Sequence, residues 1–298
     1  MRAQPETPEV VRIPDVTGAN GTRVSFRRVG TGPKKVLFFH GFPGSSAQVE
    51  FFRPYVDKLG LEVLGFDRPG YGTSEPVGDD QFGQTSRVSK ALLAHLGWNN
   101  CHAISVSGGT PFLFALMQTF PELMTHVSIV SGLGPIATPG FEGLLPWKSK
   151  LGLRLFPKIP SHWFATAITA TLGNPRLQSF NPVRFFLPMS KADAEVLQVP
   201  PAIDILTCAL REAFHQKGTG PRRDAIAYLS PWKPETGSYT GSIDFWHGDE
   251  DIVLPAAIAR RVSSFIPSAK LHILSNEGHY SLGIRQLESI FRKSGSAS

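Results

Sequence analysis

Along the first 132 residues, short β-rich runs alternate with stretches whose apolar positions recur at helical spacing, the pattern of parallel strands joined by crossover helices. Val10–Val16 and Val24–Val29 read as a leading hairpin, with Gly18–Gly21 as its turn. Lys35–His40 (KVLFFH) is a continuous apolar run, as a strand covered on both faces requires. A helix over Ser46–Leu59, a strand at Leu61–Phe66 and a helix near Thr85–Leu96 follow. A strand at Cys101–Val106 then leads into a helix that ends before Pro121, and Val127–Val130 forms another strand.

The rhythm breaks after Gly132. Pro135 to Pro234 is rich in Pro, Phe, Leu and Trp, with helical spacing and no clear strand. A structureless loop of that length is rare inside a compact domain, so the segment is expected to fold as a helical insertion over the sheet. Alternation resumes with a strand at Ser242–Trp246, a helix over Pro255–Phe265, a strand at Lys270–Leu274 and a helix over Ser281–Arg292. The pattern predicts an α/β fold: a mostly parallel sheet with helices on both faces. Residues 1–134 and 235–298 would build this core and residues 135–234 a helical cap.

Composition narrows the function classes. With 41% hydrophobic and 18% charged residues, the chain matches a folded, enzyme-sized globular protein. It has no run of 18 apolar residues and no apolar signal-peptide core near its start, so no membrane span and a cytoplasmic location are expected. Cys101 and Cys208 lie far apart, outside any CxxC spacing, and read as reduced thiols. Twelve basic against six acidic residues fall between Pro135 and Pro234, which accounts for the whole net charge of +6. That excess reads as a solvated basic face; without an RNP motif, zinc finger or Lys/Arg block, no nucleic-acid partner is expected. No HExxH, P-loop or G-x-G-x-x-G opening a βαβ unit is present, so neither metal nor cofactor is expected. The sequence leaves the oligomeric state open.

The strongest chemical signal is Ser105-Val106-Ser107-Gly108-Gly109, set between a strand and a helix. A nucleophile elbow places its serine on a strained turn and needs small residues two positions before and after it. Ser105 and Gly109 meet that need around Ser107; Ser105, between Ala103 and Ser107, fits on size as well, and the glycine pair favours Ser107. A serine needs a base. Among nine histidines, His279 in Asn276-Glu277-Gly278-His279-Tyr280 follows the last predicted strand, in the chain order nucleophile, acid, histidine that the elbow requires. The acid would come from His247-Gly248-Asp249-Glu250-Asp251-Ile252-Val253-Leu254-Pro255, where three carboxylates compete.

At that loop the chain resembles the α/β-hydrolase family, serine-nucleophile branch, whose members often carry HGxxDxxVP there; the resemblance implies Asp251 as the acid that orients His279. His40–Ser45 (HGFPGS) resembles the family's oxyanion loop, which implies backbone N–H donors from Phe42 and Gly108. Asp67–Ser74 (DRPGYGTS) resembles the family's D-x-x-G-x-G-x-S turn, a loop-shaping element. The implied activity is cleavage of a small-molecule carboxylic ester or related acyl bond through an acyl-enzyme, with Ser107, Asp251 and His279 as catalytic residues. The same scaffold also resembles cofactor-independent perhydrolases, C–C bond hydrolases and oxygenases, and some relatives are non-catalytic receptors. In the cap, Leu144, Leu145, Trp147, Leu155, Phe156, Trp163, Phe164, Phe185 and Phe186 are candidates for an apolar pocket or for the cap's own core, with Trp147 and Trp163 foremost as substrate contacts.

Overall fold

A computed structural model describes residues 5–14, 21–141, 143–158 and 189–294. Eight strands form one sheet: β1 (Glu9–Ile13), β2 (Thr22–Val29), β3 (Lys34–Phe39), β4 (Leu61–Phe66), β5 (Cys101–Val106), β6 (Met124–Val130), β7 (Ser242–Gly248) and β8 (Ala269–Leu274). Their order is β1-β2-β4-β3-β5-β6-β7-β8. The two strands of the leading hairpin pair as expected, β1 antiparallel to β2, and β2 is antiparallel to β4; residues 15–20, with most of the expected Gly18–Gly21 turn, lie outside the described residues. Every other pairing is parallel.

Alternation along each strand divides the core between the two faces. Leu37 and Phe39 of β3, Ala103 of β5 and Phe245 of β7 pack on one face, under α2 (Gln81–His95), α3 (Thr110–Thr119) and α8 (Ala256–Ser263). Val36 and Phe38 of β3, Ile104 of β5 and Trp246 of β7 pack on the other, with Val49, Phe52, α1 (Val56–Leu59) and α10 (Leu287–Ser294). Both faces are covered, which is why β4 is buried at all six positions.

The strand order changes direction around β3. The connection leaving β3 crosses the face that carries Val49 and Phe52, while the connection leaving β5 crosses the face that carries α3. A crevice opens at the carboxyl ends of strands at such a switch point. The loops after β3 and β5 border it.

Several element boundaries differ from the sequence expectation. The helix expected over Ser46–Leu59 is a 3-10 segment at Ser46–Phe52 followed by the single turn α1. Pro54 between them has no N–H to donate back. α2 begins at Gln81, four residues early, because the Asp80 side chain accepts the Gly83 N–H and caps it. The last expected helix divides at Gln286 into α9 (His279–Arg285) and α10. Between β6 and β7 the described residues form α4 (Trp147–Leu155) with a 3-10 extension to Lys158, α5 (Lys191–Val196), α6 (Pro200–Ala213) and α7 (Thr219–Tyr228). They contain no strand. No helix among the described residues is long and apolar enough to cross a membrane.

Candidate active site

Ser107 follows β5 directly and holds φ at 50°, a left-handed backbone that a non-glycine residue adopts at a cost. The two glycines after it let other chain segments approach. A methyl group on Gly109 would lie 2.5 Å from the Phe39 carbonyl oxygen, and one on Gly108 would lie 2.5 Å from Phe42 Cβ and 3.3 Å from the Phe42 nitrogen. The loop after β3 therefore lies against the turn that carries Ser107. Ser105 is fully buried in the strand, where its hydroxyl pairs with Thr110 Oγ1 at 3.2 Å.

The loops after β7 and β8 bring the other two residues to Ser107. Asp251 is buried, and its Oδ1 accepts the backbone N–H groups of Val253 at 2.9 Å and Leu254 at 2.8 Å. Its Oδ2 lies 2.8 Å from His279 Nδ1, and His279 Nε2 lies 3.0 Å from Ser107 Oγ. Asp249 and Glu250 are exposed; Asp249 only closes the loop by accepting the Asn276 N–H at 2.9 Å.

Electrostatics fix the proton positions. Burial opposes the Asp251 charge, yet His279 and His247 outweigh it and hold the carboxyl well below its usual range. An ionised carboxylate only accepts, so Nδ1 of His279 carries the proton and Nε2 presents its lone pair to the Ser107 hydroxyl. Burial likewise opposes the His279 imidazolium, but the Asp251 charge and hydrogen bond, with a contribution from Asp193, raise its pKa above the ordinary histidine value. The arrangement can deprotonate a hydroxyl and hold the resulting cation.

The sequence profile of the alpha/beta hydrolase fold matches residues 34–182. The chain belongs to the α/β-hydrolase fold family. Among proteins of similar sequence, a 2-hydroxymuconate semialdehyde hydrolase of Pseudomonas putida is 22% identical over 286 residues, 94% of this chain and 91% of that protein. A non-heme haloperoxidase of Rhodococcus erythropolis is 30% identical over 98 residues, 33% of this chain and 35% of that protein. The chain spans little more than a third of the length of some of the curated relatives it matches. Among solved structures, an esterase of Exiguobacterium antarcticum superposes with a TM-score of 0.68 at 16% identity, covering 97% of this chain and 98% of that one.

In this α/β-hydrolase-fold protein the segment between β6 and β7 supplies groups that no catalytic motif singles out. Asp193 of α5 is fully buried and accepts three backbone N–H groups at the start of α9: His279 at 3.1 Å, Tyr280 at 2.7 Å and Ser281 at 2.9 Å. A side chain on Gly278 would collide with Ser190 and Asp193, which explains the glycine before His279. Asp224 of α7 pairs with Arg68 at 2.6 Å, both buried, and the Tyr228 hydroxyl donates to the Gly108 carbonyl at 2.7 Å. The local sequence signal for Asp193 was Ser190-x-x-Asp193, a capping box at the start of α5.

Two cavities meet at Ser107. One, of about 340 Å³, is walled by Leu145, Leu153 and Phe156 on the α4 side and by Phe214, Tyr228 and Leu254 opposite. The other, of about 140 Å³, is bordered by His279, Tyr280, Phe51 and Leu206. Trp147 lines neither: it is 70% exposed. Ser149, Gly152, Leu153 and Phe156 face the cavity at helical spacing, and Trp147, two residues before Ser149, projects from the opposite side of α4. Leu144, Leu145 and Phe156 pack at the cavity or the core beside it, whereas Leu155 is exposed. Trp163, Phe164, Phe185 and Phe186 lie outside the described residues.

Proposed function

We propose that the protein is a serine hydrolase that cleaves an uncharged carboxylic ester through an acyl-enzyme. The observation that carries this reading is the Ser107–His279–Asp251 chain of hydrogen bonds, 3.0 and 2.8 Å long, opening onto apolar cavities. Ser107 Oγ attacks the ester carbonyl carbon as His279 Nε2 takes its proton. The carbonyl oxygen becomes an oxyanion facing the backbone N–H groups of Phe42 and Gly108, whose loss would cost about 10²–10³ in rate per donor. Collapse breaks the bond to the alcohol oxygen, which leaves with the proton from His279. Water, deprotonated by the same imidazole, then attacks the acyl-enzyme, releases the acid and restores Ser107.

The proton's path assigns the two cavities. His279 hands its proton to the departing oxygen, so the alcohol belongs in the cavity of about 140 Å³ that His279 borders. The acyl chain then occupies the larger cavity, where no described lining residue is charged. The β6–β7 segment acts in this reading as a cap whose α4 face sets acyl size.

Ser107→Ala is expected to abolish p-nitrophenyl ester turnover by about 10³-fold or more and to end labelling by a fluorophosphonate, with an unchanged melting temperature. Full activity in Ser107→Ala, with loss in Ser105→Ala, would move the nucleophile. The alignment with the 2-hydroxymuconate semialdehyde hydrolase along nearly the whole chain favours a second reading, C–C bond hydrolysis on the same residues. Turnover of a vinylogous diketone with no turnover of any ester would select it.

A further inference from the structure

We infer that Arg68, held by Asp224 of α7, is a positioning residue that aims the Phe42 N–H at the reacting carbonyl oxygen, so that the β6–β7 segment completes the oxyanion site. The inference rests on the ester-hydrolase reading above. The Gly41–Phe42 peptide is trans, so its C=O and N–H point in opposite directions from one rigid plane. Whatever holds the Gly41 oxygen from behind therefore fixes where the Phe42 N–H points. Two groups do so: His40 Nδ1 at 2.9 Å and Arg68 Nη2 at 3.3 Å. Arg68 Nη1 also donates to the His40 carbonyl at 2.6 Å, which secures the preceding peptide. Both imidazole and guanidinium are buried, so water does not compete for these carbonyls.

Arg68 is held in turn. Its Nε and Nη2 both donate to Asp224 Oδ2, at 3.0 and 2.6 Å. Tyr71 donates to the same oxygen at 2.7 Å and Gln81 to Oδ1 at 3.0 Å. A buried carboxylate with this many donors has one low-energy placement. From the same helix, the Tyr228 hydroxyl donates to the carbonyl of Gly108, the residue of the second proposed oxyanion donor. One face of α7 thus grips the backbone on both sides of the place where negative charge would develop. A guanidinium on the Gly41 oxygen also polarises that peptide toward a stronger N–H donor, an effect that grows in value as the oxyanion forms.

The test compares kcat, KM and the inhibition constant of a trifluoromethyl ketone across variants. The ketone reports the oxyanion site because Ser107 adds to its carbonyl, passing its proton to His279 and leaving a negatively charged oxygen. Arg68→Lys keeps the charge but cannot span Asp224 and both carbonyls. It should lose about 10–100-fold in kcat, with KM changed by less than about threefold and ketone affinity weakened in step with kcat. R68M/D224L removes the buried pair without stranding a charge, so stability should survive while kcat and ketone affinity fall alike. A folded R68M/D224L protein with native kcat and ketone affinity would overturn the inference. So would the failure of both variants to fold, which would make the pair purely structural. Ser107→Ala separates the two levels: if it retains turnover, the hydrolase reading falls; if it is inactive while the Arg68 variants are native, only the positioning role falls.

Discussion

The two described stretches of the β6–β7 segment reach the site by different physics. α4 and its 3-10 extension present side chains: Leu153 and Phe156 face the larger cavity, and Phe156 meets Phe42 and Phe214 edge to face. The outer side of α4 carries Trp147, Leu151 and Leu155 at 70, 47 and 44% exposure. α5 to α7 instead present carboxylates to the polypeptide backbone and to buried cations. Asp193 takes three N–H groups beside His279, Glu212 takes Arg27 and Ser45, and Asp224 takes Arg68. Apolar contact is non-directional and tolerates a change of shape, whereas a saturated buried polar network admits one geometry. On the proposed function, the first stretch would choose the substrate and the second would hold the reacting groups.

If the chemistry sits on the loops after β5, β7 and β8, the largest effect is expected there. Asp251→Asn should cost about 10⁴ in kcat, because an amide at that position favours the wrong imidazole tautomer. Asp249→Asn, at an exposed carboxylate two residues away, should leave the rate within a fewfold of native; equal rates would reassign the acid. The pH profile sharpens the test. Only neutral His279 can accept the Ser107 proton, and its pKa is raised, so the acid limb of kcat/KM should lie above the ordinary histidine range. In Asp251→Asn the limb should move to lower pH, since the charge that opposes burial is gone. Stability follows the same pair. The His279 contribution is complete below the unfolded histidine pKa and is lost as pH rises through the raised folded value. The Asp251 contribution is present above the unfolded carboxyl pKa and is lost as pH falls toward its depressed value.

A smaller effect should come from α5. Asp193→Asn turns one of two buried acceptor oxygens into a donor facing N–H groups at the head of α9. His279 would shift relative to Ser107, and misplacement on the scale of 1 Å can cost about 10²-fold. The expected signature is a fall in kcat of at least about tenfold with little change in KM, read on one short ester. A loss of melting temperature with native kcat would make Asp193 a helix cap and nothing more.

Much of this organisation was legible in the sequence, and what was not has a physical reason. β4 at Leu61–Phe66 and β5 at Cys101–Val106 lie where the β-rich runs predict them, and the continuous apolar run KVLFFH marks β3, which is covered on both faces. The left-handed turn at Ser107 leaves a local mark in the glycines that other segments crowd. Asp251 stood among three acids that local sequence could not rank; the structure buries it and leaves Asp249 and Glu250 in water. Arg68 and Asp224 leave no such mark. They are 156 positions apart, and a long-range pair imposes no spacing on its neighbours. In the sequence Trp147 stands out by residue type and by its place in the apolar Leu144–Phe164 stretch, neither of which gives its direction. Its direction depends on the phase of α4, which Pro146 at the cap and Leu153 and Phe156 on the cavity face set.

The smallest expected effects fall on α4, and there the contrast with α5 to α7 is most exposed to failure. Leu153→Ala or Phe156→Ala enlarges the larger cavity without touching a group bonded to Ser107, His279 or Asp251. In a pocket of this kind one methylene is worth about 1–3 kcal/mol of discrimination. The ratio of kcat/KM for long against short acyl p-nitrophenyl esters should therefore shift toward long chains, while kcat for the short ester changes little. Varying the alcohol at fixed acyl chain should show no comparable shift, because the alcohol occupies the cavity bordered by His279 and Tyr280 in the proposed arrangement. Trp147→Ala is the internal control: at 70% exposure on the outer side of α4 it should change neither the ratio nor stability by more than about 0.5 kcal/mol. A selectivity shift in Trp147→Ala as large as that in Phe156→Ala would mean that the outer side of α4 meets substrate. Lost short-ester kcat in Leu153→Ala would mean that α4, like α5 to α7, holds the reacting groups in place.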